Sequence, residues 1–435
     1  MIRTILLVFL LAVVGISQTG AQEVSFEIAT WYGFRQAAVC YTFDDGCANQ
    51  FAKARPMFDT AGFPMTLFTV TNWASNWPVL KAMAGHGHEV ASHAVTHPNF
   101  GQISAEQQDT ELAKSKSVIE QQIGYPCLTH AYPYCVKAID SIVRKYYISA
   151  RGCQGYIEKS TPDDYYNVSS IIVGNLGAVK SYADFKNYFQ QAARQGGWLV
   201  FLIHGIDNDG GYSPIPSAEL QKSLLYLTPR TAKYWVTTFK AATLYSRERN
   251  AASVTLLAAN NDQYTLNVTD SLPDSVYHQP LTLRCPLPAT WPSAVVKQNQ
   301  QGVFSRIVQR DTAVFIEFDI VPDAGEIVIM KDNTPVVPEI DSIPPDDQDI
   351  NTAVEHFQDD QLRVIAKKDK IVISWPASDT YRFWQVSVTD SLGRNILSRN
   401  VYDRNSIDLS VRMKGGMYFV QVRGYGKVYQ AKIIL

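Results

Sequence analysis

The sequence predicts an α/β domain, with a parallel sheet or barrel, followed by two small all-β domains. Three observations carry that prediction. From about Gln22 to Arg249, apolar strand-like runs alternate with helix-like stretches, the pattern of parallel strands joined by crossover helices. After Asn250 the helical periodicity stops, and short strands follow one another between Asp, Pro and Gly turns. From Lys331 to Thr352 the chain is rich in Pro and Asp, as an exposed linker is, before short strands resume.

In chain order, Met1-Ile-Arg, the apolar run Ile5–Val14 and the small and polar residues to Ala21 read as a secretory signal peptide at 1–21. The apolar run is short for a membrane span. Ala37–Phe43 reads as a buried strand with Gly46 as the turn beyond it. Further strands are expected at Met65–Val70, His88–Ser92, His130–Pro133, Ile148–Arg151, Val168–Ile172 and Trp198–Ile203. A helix is expected over Ser104–Ile123, where Ser104 and Gln107 form a capping box, and another over Tyr182–Gln195, stopped by Gly196-Gly197. Residues 22–250 are therefore the α/β domain.

Val254–Leu257, Gln263–Val268, Leu281–Arg284, Ala313–Phe318 and Glu326–Met330 fill a small β domain over 251–331. The linker takes 332–352. Lys370–Trp375, Trp384–Thr389, Tyr418–Arg423 and Val428–Ile434 make a β-sandwich over 353–435.

Composition narrows the function. With 46% hydrophobic and 18% charged residues, a net charge of -2 and no Lys/Arg run, the chain is globular and nucleic acid is not an expected partner. Export permits disulfides, and five of the six cysteines (Cys40, Cys47, Cys127, Cys135 and Cys153) precede the lone Cys285. An odd five implies a free thiol, and a bridge among Cys127, Cys135 and Cys153, which lie close along the chain, is the first expectation. No Cys-x-x-Cys pair exists, so a cysteine-based zinc site is not expected.

The chemistry centres on Tyr41-Thr-Phe-Asp-Asp-Gly-Cys47. Asp44 and Asp45 stand at the mouth of a buried strand, where two carboxylates repel each other and lose hydration. A metal or a proton-transfer task explains such a pair, and capping a following helix is the plain alternative. Ser92-His93-Ala-Val-Thr96-His97 spaces two imidazoles at i and i+4, on one face if the backbone makes a helical turn. Two histidines and one carboxylate, supplied by Asp45, would leave an open position on a zinc ion. Trp198–Ile203 ends in His204-Gly205, placing another histidine at a strand's carboxyl end. Its plain alternative is a hydrogen bond to backbone.

Thr42-Phe-Asp-Asp-Gly46, His93-x-x-Thr96-His97, Tyr132-Pro-Tyr134 and Leu-Ile-His204-Gly together resemble the ordered motifs of the polysaccharide deacetylase family, carbohydrate esterase family 4. The resemblance covers about Ala37–Arg249. It implies a distorted (β/α) barrel holding one divalent metal, usually zinc, and removing acetyl groups from a polysaccharide. Asp44 would be the general base, Asp45, His93 and His97 the metal ligands, and His204 the general acid. The backbone N–H of Tyr134 would help hold the oxyanion. Such chemistry suits N-acetylglucosamine polymers first and O-acetylated xylan second. Hydrolysis of another carbon–nitrogen bond on the same fold, or a carbohydrate-binding protein that has lost catalysis, are the competing readings.

Three departures stand out. The family's arginine before Pro-Tyr is Ala131 here, the glycine after that tyrosine is Cys135, and the Asp and Trp motif that accompanies the histidine is not recognisable around Arg151–Tyr156. Asp163, Asp164 and Asp207 are the candidates to orient His204. Asp44 still needs a cationic partner. Arg151, ending its own strand, is the candidate, and His130 is the alternative on a strand face that should point away. The last seventy or so residues, through Val386–Arg394, Gly416–Val422 and Lys432–Leu435, are similar to the C-terminal sorting domain of type IX secretion. That resemblance implies a partner in the secretion machinery and a secreted or cell-surface protein.

Overall fold

The computed structural model describes residues 24–340, 363–367, 370–374, 383–390, 395–402, 406–409, 417–424 and 427–434. The expected signal peptide and most of the expected linker lie outside the described residues. The chain begins with β1 (Glu27–Ile28) and then builds an α/β unit. Its first half comprises β2 (Ala37–Asp44), α1 (Arg55–Ala61), β3 (Thr66–Thr69), α2 (Trp77–Gly85), β4 (Glu89–Ser92), α3 (Ala105–Ile123), β5 (Thr129–Ala131) and α4 (Asp140–Val143). The second half comprises β6 (Ser149–Arg151), β7 (Ile171–Ile172), α5 (Tyr182–Gln195), β8 (Trp198–Ile203), α6 (Ser217–Leu227), β9 (Tyr234–Val236) and α7 (Phe239–Ala251).

The sheet order is β6-β5-β4-β3-β2-β8-β7, with β9 against the start of β2, and every pairing is parallel. Val168 bridges Arg151 at the β6 edge, while β7 pairs with β8. One short segment thus touches both edges and draws the sheet round into a distorted barrel. Parallel strands buried on both faces need continuous apolar runs, and all eight residues of β2 are buried. Ala37, Val39, Tyr41 and Phe43 pack with Phe58, Leu112 and Phe185 of the helices. Ala38 and Cys40 face the interior with Phe68, Ala91 and Ala131. The capping box on Ser104 and Gln107 starts α3 as expected, and Gly196 (φ 64) ends α5 in the left-handed region.

Beyond α7 come β10 (Ser253–Ala259), β11 (Gln263–Thr269), β12 (Leu281–Pro286), β13 (Ser293–Gln298), β14 (Gln301–Gly302), β15 (Ser305–Arg310), β16 (Ala313–Ile320) and β17 (Ile327–Asp332). They form two antiparallel sheets, β1-β12-β16-β15 and β10-β11-β17-β13-β14. The segment ahead of the barrel therefore supplies an edge strand to the β domain, with Ile28 opposite Leu283. Tyr32 Oη donates to Asp319 Oδ2 at 2.5 Å. Trp31, Trp198, Tyr245, Leu283 and Phe318 share one core between the two units. Each such buried side chain contributes about 1.5–3 kcal/mol, so the units hold each other firmly.

The last strands are β18 (Arg363–Lys367), β19 (Lys370–Ser374), β20 (Phe383–Asp390), β21 (Asn395–Tyr402), β22 (Ser406–Leu409), β23 (Met417–Gly424) and β24 (Lys427–Ile434). They form the antiparallel sheets β18-β19-β22 and β21-β20-β23-β24.

Candidate active site

Asp44 closes β2. Its side chain follows Ala38, Cys40 and Thr42 by period two onto the interior side, and it is 2% exposed. Asp45 (φ 72) and Gly46 (φ 77) turn the chain at once, setting a second carboxylate beside the first. A left-handed non-glycine residue costs roughly 1–2 kcal/mol, and Asp is among the residues that tolerate it.

His93 begins the loop after β4. The expected helical turn does not form there, because Ala94 (φ 67) and His97 (φ 59) are left-handed. Glu111 of α3 holds the loop instead. Its Oε2 accepts from Val95 N at 2.8 Å and Thr96 N at 2.9 Å, and its Oε1 from Thr96 Oγ1 at 2.7 Å. The two imidazoles still meet, with ring centroids 4.9 Å apart. Asp45 Oδ1 lies 3.5 Å from His97 Nε2 and 3.7 Å from His93 Nε2.

The donor atoms of this trio fall within 4.8 Å of one another. His93 Nδ1–H donates to Ala131 O at 2.8 Å, which leaves its Nε2 lone pair towards the carboxylates. Burial pushes His93 down to about 3 and lowers His97 too, so both rings are neutral, the form that binds metal. Asp45 Oδ1 is buried with no hydrogen-bond partner among the described residues. One carboxylate, two neutral imidazoles and an unpaired buried oxygen fit a divalent cation with an open position.

Ala131 and Arg151 are register partners across β5 and β6, so their side chains share a face. Arg151 reaches past the Phe68 ring, 5.1 Å from its centroid, and sets Nη2 2.5 Å from Asp44 Oδ2. His130 points the other way, with Nδ1 3.1 Å from Ser92 Oγ and its ring stacked on Tyr147 at 5.3 Å. Asp44 Oδ1 and Arg151 Nε and Nη1 are buried without partners among the described residues.

His204 follows β8 and brings Nε2 to 3.9 Å from Asp44 Oδ2 and 4.0 Å from Asp45 Oδ2. Its Nδ1 has no partner among the described residues. The three candidate carboxylates are engaged elsewhere: Asp207 with Lys53 and the Ser217 N–H, Asp163 with Lys159, and Asp164 with Lys137. Gln50, not singled out in the sequence, ties the two strand ends together. Its Nε2 donates to Asp44 O at 2.6 Å and to His204 O at 2.9 Å.

Tyr134 lies in the turn after β5 with φ 55, followed by Cys135 with φ 61. The expected bridge is Cys135–Cys153, and Cys127 is a buried free thiol. Three exposed aromatics rim the histidines. Tyr134 (64% exposed) and Trp73 (52%) lie 4.6 and 5.0 Å from the His97 ring, and Tyr212 (51%) lies 5.2 Å from that of His204.

Residues 33–149 match the family profile described as polysaccharide deacetylase, and residues 367–435 match that of a secretion system C-terminal sorting domain. Over 328 residues the chain is 26% identical to a gellan lyase of Bacillus sp, covering 70% of this chain and 13% of that protein. Over 94 residues it is 26% identical to a peptidoglycan-N-acetylglucosamine deacetylase of Bacillus cereus, covering 21% of this chain and 34% of that protein. The chain thus spans only a minor part of these curated relatives. Among solved structures, it is similar to a family 4 acetyl xylan esterase from Clostridium thermocellum in complex with a cobalt ion, with 16% identity and a TM-score of 0.36, covering 49% of this chain and 92% of that one.

Proposed function

From the premise that residues 33–149 belong to the polysaccharide deacetylase family, we propose that this chain is a secreted, metal-dependent hydrolase removing acetyl groups from a polysaccharide. N-acetylglucosamine polymers are the first choice of substrate and O-acetylated xylan the second. The observation that carries the reading is the convergence of Asp45, His93 and His97 beside the buried Asp44–Arg151 pair.

Asp45, His93 and His97 would hold one divalent ion, zinc by preference. Bound there, the ion would supply an acidified water and an electrophile for the acetyl carbonyl. Asp44 takes the attacking water's proton on Oδ1, the oxygen left unpaired while Arg151 fixes Oδ2. The Tyr134 backbone N–H steadies the oxyanion. His204, from the end of β8, delivers a proton to the departing sugar nitrogen or oxygen.

The exposed rings of Trp73, Tyr134 and Tyr212 suit the apolar faces of sugar units, which supports a saccharide over a small amide. The B. cereus relative's name supports N-acetylglucosamine. Lyase activity is not carried over from a likeness to 13% of another protein. The sorting-domain match at 367–435 supports delivery outside the cell through the secretion machinery.

Acetate release by the full chain from chitin oligomers, peptidoglycan and acetylxylan tests the activity, and elemental analysis tests the ion. Asp44→Asn should abolish release while keeping one ion per chain. Full-rate release by metal-free protein would overturn the mechanism.

A further inference from the structure

We propose that the Cys135–Cys153 cystine is a positioning pair for the Tyr134 amide, so that turnover depends on the oxidised state of this one bond. The inference rests on the deacetylase reading above. Tyr134 (φ 55) and Cys135 (φ 61) are consecutive left-handed residues with side chains, a backbone that must be held from outside. Burial does little to hold it: Pro133 is buried, but Tyr134 and Cys135 are both exposed, and the Tyr134 ring meets that of His97 at 4.6 Å. Among the described residues, two short-range backbone bonds close the turn, from Cys135 N to Tyr132 O and from Val136 N to Pro133 O, each 3.1 Å.

The other half-cystine stands on firmer ground. Cys153 lies two residues beyond Arg151, next to Gly152, whose N–H donates to Val168 O at 2.8 Å and whose carbonyl accepts from Ser170 Oγ at 2.6 Å. The disulfide therefore ties the strained turn to the rigid end of β6, the same strand that presents Arg151 to Asp44. Cys135 is exposed and Cys153 half-buried, so a reductant can reach the bond. A dithiol supplies two electrons and two protons, the S–S bond breaks into two thiols, and the dithiol closes to its own disulfide.

The test uses the full, metal-loaded chain with the N-acetylglucosamine pentamer as substrate. Cys135→Ala with Cys153→Ala should lower kcat by about tenfold or more, with KM and metal content within about twofold. Cys135→Gly with Cys153→Ala should recover most of kcat, because glycine keeps a positive φ unaided. Dithiothreitol should reproduce the loss in the parent chain and leave the glycine variant unmoved. Independently of acetate, amide exchange at Cys135 and Val136 should quicken in the alanine pair. Unchanged kcat there, or a loss that glycine does not rescue, would overturn the proposal. If the parent chain releases no acetate from any substrate, the deacetylase reading fails. The exchange rates then decide positioning alone, and unchanged rates overturn it.

Discussion

Arg151 Nη2 lies 2.5 Å from Asp44 Oδ2, and Arg151 stands across from Ala131 in the β5–β6 register. The proposed base on β2 thus takes its cation from β6, across the barrel interior, on the face where Ala131 of β5 presents only a methyl. Arg151→Ala should lower turnover by on the order of a hundredfold, since it leaves a buried carboxylate uncompensated and loosely held. Metal content by elemental analysis should not change. His130→Ala, on the outer face of β5, should lower the melting temperature with much less effect on turnover. Near-normal turnover in the arginine variant would mean that the pair only supports the fold.

Glu111 governs the His93–His97 loop without belonging to the proposed ligand set, because its carboxylate holds Val95 and Thr96 between the two histidines. Glu111→Ala should weaken metal affinity by about 10–100-fold, the usual loss when an outer support of ligands is removed. Competition with a chromogenic chelator measures it. Activity should return when the metal concentration is raised, and affinity equal to the parent's would assign Glu111 to loop stability alone.

Tyr212 stands beside the His204 ring on a braced loop. Gly205 N donates to Tyr212 O at 3.0 Å, and Asp209 Oδ1 accepts from Ile206 N and Gly211 N at 3.2 and 3.1 Å. A side chain on Gly205 would meet the Gly211 carbonyl oxygen at 2.7 Å, so the two backbones demand glycine there. Tyr212→Ala should raise KM for chitin oligomers by roughly tenfold, a loss of stacking worth about 1.4 kcal/mol, and leave hydrolysis of an aryl acetate unchanged. Equal losses on both substrates would place Tyr212 in the support of His204 rather than in sugar binding.

Glu248 on α7 is buried and accepts from Gln279 N at 2.7 Å, while its Oε1 has no partner among the described residues. Burial, reinforced by Asp270, Asp274 and Asp323, pushes its carboxyl up to about 8 from an ordinary 4.5. Between those values the folded chain holds a proton that the unfolded chain releases. The contribution of Glu248 to stability is therefore fully present below the ordinary value and is lost as pH rises towards 8. Glu248→Gln should flatten that decline in melting temperature against pH. An identical slope in the variant would rule Glu248 out as its source.

The site residues most legible in the sequence end apolar runs. Asp44 and Asp45 after Ala37–Phe43, and His204 after Trp198–Ile203, could be placed at strand mouths because a parallel strand buried on both faces has a conspicuous end. Arg151 was legible for the same reason, and His130 was correctly turned away by period two. The loop of His93 and His97 was legible in composition but not in shape. Its left-handed residues are set by Glu111, a contact from another element that looks in sequence like any polar helix residue. Gln50 and Glu248 were hidden in the same way, since polar positions on a helix read as solvent-facing. The strand β1 escaped because two residues carry no periodicity; only the sheet across from it defines them.

That strand also bears on how the chain can be assembled. Glu27 and its partner Arg284 are 257 positions apart. A growing polypeptide can pack Trp31 and Tyr32 on Trp235 and Tyr245 once α7 is made, but β1 has no strand to pair with until Arg284 has followed. Closing a loop of that length costs about 5 kcal/mol of chain entropy when it is closed in one step, and the earlier packing of Trp31 on Trp198 and Tyr245 shortens what remains to be closed. The pairing of β1 with β12 is consequently among the last contacts to form. A chain interrupted before Leu281 would hold every proposed catalytic and metal-binding residue yet lack the strand that β1 pairs with.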